Sequence, residues 1–186
     1  MTREEILEAA AQVFRQKGFH GASMQDIANA VNLQKPSLYH HVTSKQDILL
    51  ALLNRALQLL LERISPISSQ DVPADEKLQQ MIRAYLQILA ENTDLSAVLL
   101  FEHRSLERKH HTRHVPHRDK FEALWRDVLE EGVEDSLFVC DDPALATRAI
   151  LGILNWTITW YHPSGALDID EIADRYSTLL LSGLCK

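Results

Sequence analysis

The chain of 186 residues is long enough for one domain of ordinary size, or for a small module joined to a larger one. Its 46% hydrophobic and 24% charged residues are typical of globular proteins, and no apolar stretch is long enough to cross a bilayer. The chain starts with acidic residues where a secretory signal would be basic, and its only cysteines are Cys140 and Cys185. These features predict a cytoplasmic protein, with no membrane association and no disulfide framework.

The net charge of -7 argues at first against a nucleic-acid ligand. The charge is unevenly distributed, however, because residues 1–50 hold five Lys/Arg and five Asp/Glu, and the rest of the chain carries the whole acidic excess. A locally neutral segment can still bind DNA when its few cations share one face. The acidity of the whole chain therefore does not exclude a DNA-binding function.

The spacing of apolar residues is helical almost throughout, and no strand-like alternation extends beyond a few residues. Thr2 and Glu5 form a capping box that opens a first helix, and Gly18 is expected to end it. Ser23 is the predicted cap of a second helix. Pro36 fits the first turn of a third, where its missing amide hydrogen is not needed.

The remainder of the chain is also predicted to be helical. Ser44 and Asp47 form a capping box for a leucine-rich helix that ends near Ile64, and residues 65–73 are a polar connection. Asp168 and Glu171 are expected to cap the last helix. The later helices are predicted at residues 75–91, 94–109, 117–133, 143–161 and 169–184. Together these elements predict an all-α fold of about nine helices.

Residues 23–42 are typical of two short helices joined by a tight turn. Their apolar side chains are sufficient for a small core, and this leaves polar side chains on the second helix. In a helix-turn-helix motif the second helix enters the major groove and presents its first residues to the base edges. The alternative is a surface hairpin whose polar side chains are only solvated.

The residues from 3 to 50 resemble the TetR family of repressors. The resemblance rests on Gly18-Phe19, on Ile27-Ala28, and above all on Leu38-Tyr39-His40-His41-Val42 followed by Ser44-Lys45. This chain has Val42 where most members have Phe, Pro36 where many have Gly or Ala, and Asn32 where Gly is usual. Because Asn tolerates left-handed backbone, the turn is expected to persist.

This resemblance implies a repressor that binds a two-fold-related operator of double-stranded DNA as a homodimer. It implies a helix-turn-helix domain over residues 1–46, and a ligand-binding and dimerisation domain over residues 47–186. By position, the residues implied to contact DNA are Gln25, Lys35, Ser37, Tyr39, His40, His41 and Lys45.

The last two predicted helices are the expected dimer interface. Helix 143–161 is apolar nearly all round, so it must be covered on more than one side. The alternative is that both helices pack only within one chain. The residues predicted to form the interface are Ile150, Leu154, Ile172, Tyr176, Leu179, Leu180 and Gly183.

Charged side chains interrupt the apolar stripes of predicted helix 94–109, where Glu102 and Arg104 need either each other or a ligand. Residues 103–120 contain six Lys/Arg, two Asp/Glu and five histidines. Such a basic segment suits phosphates or carboxylates. The alternative is a solvated loop with a chance run of charge.

A second resemblance, over residues 78–184, is to TetR members that respond to acyl-coenzyme A thioesters. It rests on Tyr85-Leu86, on residues 101–106, on residues 152–156 and on residues 160–165. It implies a small-molecule effector such as a fatty or steroid-derived acyl-CoA, and hence a role in lipid metabolism. The predicted ligand-binding residues are Leu99, Phe101, Glu102, Arg104, Leu124, Trp125, Leu154, Trp156 and Trp160.

The alternatives to an acyl-CoA-responsive regulator are a regulator with a different effector, and an enzyme. His110 and His114 have the i, i+4 spacing of metal ligands, although Pro116 is expected to interrupt a helix there. The alternative effectors are a metal ion bound by these two histidines, or a drug-like lipophile. No phosphate-binding loop, nucleophile elbow or paired metal motif is present, and no catalytic residue, resident metal or cofactor is predicted.

Overall fold

A computed structural model describes residues 1–184 and contains nine α-helices and no β-strand within that range, so the all-α prediction is confirmed. Cys185 lies outside the described residues. None of the described helices combines the length and hydropathy needed to cross a membrane. The helices are α1 (Arg3–Gly21), α2 (Met24–Ala30), α3 (Lys35–Leu38), α4 (Lys45–Ser68), α5 (Ala74–Glu91), α6 (Thr93–Ala97), α7 (Arg108–Glu134), α8 (Pro143–Trp156) and α9 (Ile169–Leu184).

The predicted caps form as expected. The Thr2 side chain accepts from the Glu5 amide while Glu5 accepts from the Thr2 amide, and Ser23 makes the same reciprocal pair with Asp26. Gly18 has φ of 70° and ψ of 158°, so the helical path is interrupted there before a last turn reaches Gly21. Asn32 has φ of 55°, which is the left-handed conformation expected of the turn.

Several boundaries differ from the predictions. α4 extends to Ser68, with Pro66 in its last turns, so the connection is shorter than residues 65–73. The predicted helix 94–109 is broken: α6 ends at Ala97, and a π-helical turn (Val98–Glu102) and a 3₁₀ turn (His103–Ser105) follow.

Helices α7 and α8 also have bounds that differ from the predicted ones. α7 begins at Arg108, before the predicted residue 117, and Pro116 lies inside it instead of interrupting it. α8 ends at Trp156, and a 3₁₀ turn (Thr157–Thr159) occupies the predicted end of helix 143–161.

The chain divides into two compact units. The first unit contains residues 1–58 and 92–117, and the second contains residues 59–91 and 118–186. Val98 and Leu106 are buried in the same hydrophobic core as α1, α2 and the start of α4, so apolar burial joins the later segment to the N-terminal helices. The boundary predicted between residues 46 and 47, which separates functions, stays a prediction.

Candidate functional site

The recognition segment consists of α2, a turn and α3. Pro36 lies in the first turn of α3, where its fixed φ suits a helix and its missing amide hydrogen leaves no carbonyl unpaired. Leu38 is fully buried and fastens α3 to the core formed by Ile27 and Ala28. This short helix is therefore held by one apolar anchor, and its other side chains are free for a ligand.

All but one of the residues predicted to contact DNA lie on this segment or directly after it: Gln25 on α2, Lys35 and Ser37 on α3, and Tyr39, His40 and His41 in the turn that follows α3. Gln25, Lys35, His40 and His41 are exposed, and Tyr39 is 47% exposed although it is a large aromatic side chain. Ser37 is half-buried. Amide, hydroxyl, imidazole and ammonium groups are the groups that bind phosphate oxygens and major-groove base edges.

Lys45 is the predicted DNA contact whose ammonium already has partners. Its Nζ atom donates hydrogen bonds to the carbonyl oxygens of Phe19 at 2.7 Å and of Ala22 at 2.6 Å. It also lies 4.4 Å from the centroid of the Phe19 ring. Because helix C-terminal carbonyls carry partial negative charge, this ammonium fastens the end of α1 to the start of α4.

A charged contact also links α1 and α2. Lys17 Nζ lies 2.5 Å from Asp26 Oδ1, and the Ser23 amide donates to Asp26 Oδ2 at 2.9 Å. Hydrogen bonds from Lys17 and then from Ser23 hold the pKa of Asp26 well below its ordinary value. Asp26 is therefore a carboxylate at neutral pH and keeps the recognition segment capped.

The segment of residues 92–117 is fastened to the N-terminal helices by side chains that the sequence analysis did not single out. Gln46 donates from Nε2 to the carbonyl oxygen of Ser105 at 2.9 Å and accepts at Oε1 from the amide of Glu107 at 3.0 Å. Arg15 pairs with Asp94 at 2.7 Å. A glutamine at the start of α4 gives no sequence signal, because both of its partners are backbone atoms far along the chain.

The two histidines weighed as metal ligands are buried on one face of α7. His114 Nδ1 lies 3.2 Å from Asn54 Oδ1 of α4, and His110 Nδ1 has no hydrogen-bond partner within residues 1–184. Among the described residues, no group of three or more His, Cys, Asp or Glu side chains is arranged to hold a metal ion.

The second unit contains an aromatic cluster of Tyr85, Phe121 and Trp125, whose ring centroids lie 6.0 to 6.3 Å apart. The Tyr85 hydroxyl donates to Asn155 Oδ1, and burial raises the pKa of this phenol. Trp125 is fully buried, and its indole N–H has no partner among the described residues. Thr157 is likewise fully buried with an unpartnered hydroxyl.

The predicted ligand-binding residues divide between the two units. Leu99, Phe101, Glu102 and Arg104 belong to the first unit, where Phe101 is 55% exposed and Arg104 is exposed. The second unit holds the others: Trp125 and Leu154 are buried, Leu124 is half-buried, and Trp156 and Trp160 are 67% and 46% exposed. Glu102 lies beside Gly18, its Oε1 3.6 Å from where a Cβ on that residue would be.

The predicted interface residues also divide by exposure. Ile150, Leu154 and Ile172 are buried within the single chain, so they pack inside the protomer. Tyr176 and Leu180 are half-buried, Gly183 is exposed, and Leu179 is 63% exposed.

An exposed apolar stripe on α8 was not among the predicted features. Leu145, Ala149, Gly152 and Trp156 follow one another at intervals of four, three and four residues, and all four are exposed. This spacing places them on one face of the helix, and a test of helical phase could have separated them from the buried Ile150 and Leu154.

Comparisons with known proteins match this architecture. Residues 6–52 match the family described as "Bacterial regulatory proteins, tetR family", and residues 71–184 match "Tetracyclin repressor-like, C-terminal domain". The HTH-type transcriptional repressor KstR2 of Mycobacterium tuberculosis is 28% identical over 99% of this chain and 93% of its own length. The fatty acid metabolism regulator protein of Bacillus subtilis is 24% identical over 97% of this chain and 94% of its own.

Solved structures agree. The TetR family regulator PfmR from Thermus thermophilus has 35% identity and a TM-score of 0.88, and covers 97% of this chain and 99% of its own. AibR, solved in complex with isovaleryl coenzyme A and operator DNA, has 26% identity and a TM-score of 0.90, with 96% and 97% covered. The chain therefore belongs to the TetR family of bacterial regulatory proteins, which are DNA-binding transcriptional regulators and not enzymes.

Proposed function

We propose that this protein is a cytoplasmic, homodimeric repressor that binds a two-fold-related operator and is released from it by an acyl-CoA. The observation that carries the DNA-binding part is the exposed polar surface of α2 and α3, fastened by the buried Leu38, within a chain of the TetR family. Each protomer has one such motif, so a dimer presents two to half-sites separated by about one helical turn, roughly 34–36 Å.

The proposed DNA contacts are Gln25, Lys35, Ser37, Tyr39, His40 and His41. Lys45 is also proposed to contact DNA because it lies in the first turn of α4, although its ammonium binds carbonyl oxygens of its own unit. In vitro selection from a random duplex pool would identify the operator, which we expect to be a pseudo-palindrome. Lys35→Ala should then weaken its binding, whereas Lys120→Ala, an exposed lysine of the second unit, serves as the matched control.

The proposed dimer interface is the exposed stripe of α8 together with Leu179 and Gly183 of α9. The exposed side chains of Trp156 and Leu179 favour an interface that buries them against another surface, since large apolar patches are uncommon on monomers. A Cβ added at Gly152 or Gly183 would meet no atom of the described part of the protomer within 4 Å. Helices that expose glycines can approach a partner helix closely, which suits a bundle formed from two copies of α8 and α9.

The proposed effector class rests on the relatives. AibR was solved with isovaleryl coenzyme A and operator DNA, KstR2 is described as a ketosteroid regulator, and the Bacillus subtilis relative regulates fatty acid metabolism. The aromatic cluster of the second unit suits an acyl chain, and the unpartnered Trp125 N–H can donate to a thioester carbonyl. Leu124 and Leu154 are proposed to contact the ligand beside this cluster. The other ligand contacts remain predictions from the sequence: Leu99, Phe101, Glu102, Arg104, Trp160 and Trp156, the last of which also lies on the proposed dimer stripe.

Release requires that the effector bind the DNA-free conformation more tightly than the DNA-bound one. A coupling free energy of about 1–3 kcal/mol would weaken operator binding roughly 5- to 150-fold. The operator complex should therefore be titrated with acyl-CoAs from isovaleryl to palmitoyl, with coenzyme A and the free acids as controls. If no chain length releases the DNA while a zinc salt or a cationic lipophile does, the effector assignment is wrong.

A further inference from the structure

The basic start of α7 belongs to the first unit, with the helix-turn-helix motif. Over the residues of the two units, the first has ten Lys/Arg against eight Asp/Glu, and the second has nine against eighteen. The net charges are therefore +2 and -9. The acidic excess of the chain lies outside the unit that carries the recognition segment.

Half of the ten Lys/Arg cations in the first unit already have partners within it. Arg15, Lys17, Arg55 and Lys109 make ion pairs, and Lys45 binds two carbonyl oxygens. The other five have neither an ion pair nor a hydrogen-bonded side-chain partner in the described part of the chain: Arg3, Lys35, Arg104, Arg108 and Arg113. Three of these five, between residues 104 and 113, therefore lie outside the predicted DNA-binding domain of residues 1–46.

Hydrogen bonds place this segment beside the start of α4. Gln46, in the first turn of α4, binds the backbone of Ser105 and Glu107, and α7 begins at the next residue, Arg108. Glu107, and to a smaller extent Asp47 of the same turn of α4, raise the pKa of Lys109. The first turn of α4 follows His41 by only a few residues. Arg108 is thus held near the end of the recognition segment. Arg113 lies further along α7, next to His114, whose Nδ1 is 3.2 Å from Asn54 Oδ1 of α4.

We propose that Arg108 and Arg113 bind backbone phosphates of duplex DNA, and so extend the contact of the helix-turn-helix with a second set of cations from the start of α7. Both arginines are exposed, and a guanidinium pairs with phosphate through two parallel N–H donors. The contact reads no base, so it raises affinity for every sequence alike. The inference rests on the DNA-binding function proposed above.

The test is the salt dependence of binding to a short duplex of random sequence, measured by fluorescence anisotropy with the full-length dimer. The Arg108→Ala/Arg113→Ala variant should bind about tenfold more weakly at low salt. Its plot of log affinity against log salt should flatten by about 0.9 for each phosphate that the variant no longer neutralises. Arg108→Lys/Arg113→Lys should restore most of the slope, because the charge remains.

The matched control is Arg118→Ala/Arg126→Ala, which removes two arginines from the same helix but within the second unit, where each is paired with acidic residues. A slope reduced as much in the control as in the test variant would overturn the proposal, since net charge alone would then explain it. An unchanged slope combined with weakened binding of decanoyl-CoA would also overturn it, by assigning the segment to the effector. If the wild-type protein binds no duplex at all, the DNA-binding function itself fails.

Discussion

The ammonium of Lys45 lies 4.4 Å above the ring of Phe19 and donates to the carbonyl oxygen of the same residue at 2.7 Å. The start of α4 is thereby fastened to the end of α1, across a sequence separation of 26 residues. A lysine that the resemblance to the TetR family predicts to contact DNA therefore binds groups of its own unit in this structure.

Lys45→Met should consequently destabilise the first unit. Methionine keeps much of the apolar stem but leaves two partly buried carbonyl oxygens without a charged donor, which costs about 1–3 kcal/mol. Urea unfolding followed by circular dichroism measures this loss. Lys35→Met, at an exposed lysine, is the control and should leave the stability within about 0.5 kcal/mol. Equal stability of the two variants would show that the Lys45 contacts contribute nothing to folding.

Local signals predicted the starts of several helices well. The reciprocal capping pairs at Thr2, Ser23 and Asp168 form, because each depends only on a residue three positions later. At Ser44, the side-chain oxygen accepts from the Asp47 amide as a cap should, and the hydroxyl donates to the Asp47 carboxylate. Asn32 likewise adopts the left-handed backbone conformation that the residue type and its place in the turn predict.

The predicted helix bounds were wrong where contacts between residues far apart in the chain determine the conformation. The predicted helix 94–109 is broken because Val98 and Leu106 both reach the core of the first unit, and Gln46 holds the extended backbone at Leu106. Pro116 stays within α7, where Phe121 and Trp125 anchor the later turns by burial. Neither outcome has a signature within a short window, since tertiary packing overrides local propensity.

The Asp26 carboxylate predicts a loss of stability in acid. Its pKa is depressed in the folded state by Lys17 and Ser23. Its stabilising effect is therefore fully present above the ordinary value of 3.8, and is lost as the pH falls below that value. The wild type should be more stable than Asp26→Asn at neutral pH, and the difference should shrink below pH 3.8. Urea melts across this range measure it, and a difference that grows on acidification would contradict the assignment.

The proposed interface, formed by the exposed stripe of α8 with Leu179 and Gly183 of α9, predicts a dimer that a single added charge disrupts. Gly183→Glu adds a side chain at a position where no described atom of the protomer lies within 4 Å of the new Cβ, so the fold of one chain should survive while the interface between two chains does not. An unpaired charge buried in an interface costs several kcal/mol. Light scattering should report monomers for this variant. Gly21→Glu, at an exposed position of the first unit, is the matched control and should remain dimeric. A dimeric Gly183→Glu would place the interface elsewhere.

A buried ion pair in the second unit predicts an asymmetric response to its two partners. Lys77 of α5 is 6% exposed, and its Nζ lies 2.6 and 2.8 Å from the two carboxylate oxygens of Glu131 in α7. Lys77→Met replaces the ammonium with an apolar side chain of similar length and leaves a carboxylate whose side chain is already 37% exposed, so it should cost less than about 1 kcal/mol.

Glu131→Ala should destabilise the fold more, because it leaves the Lys77 ammonium buried without a counter-charge. Water reaches the Glu131 side chain, so the cost should be about 2–3 kcal/mol, below that of a fully buried pair. The double variant Lys77→Met/Glu131→Ala should recover most of this loss, since no charge is then left unpaired. Urea unfolding of the four proteins forms a double-mutant cycle. If Lys77→Met costs as much as Glu131→Ala, desolvation of the ammonium is not what determines the stability of this pair.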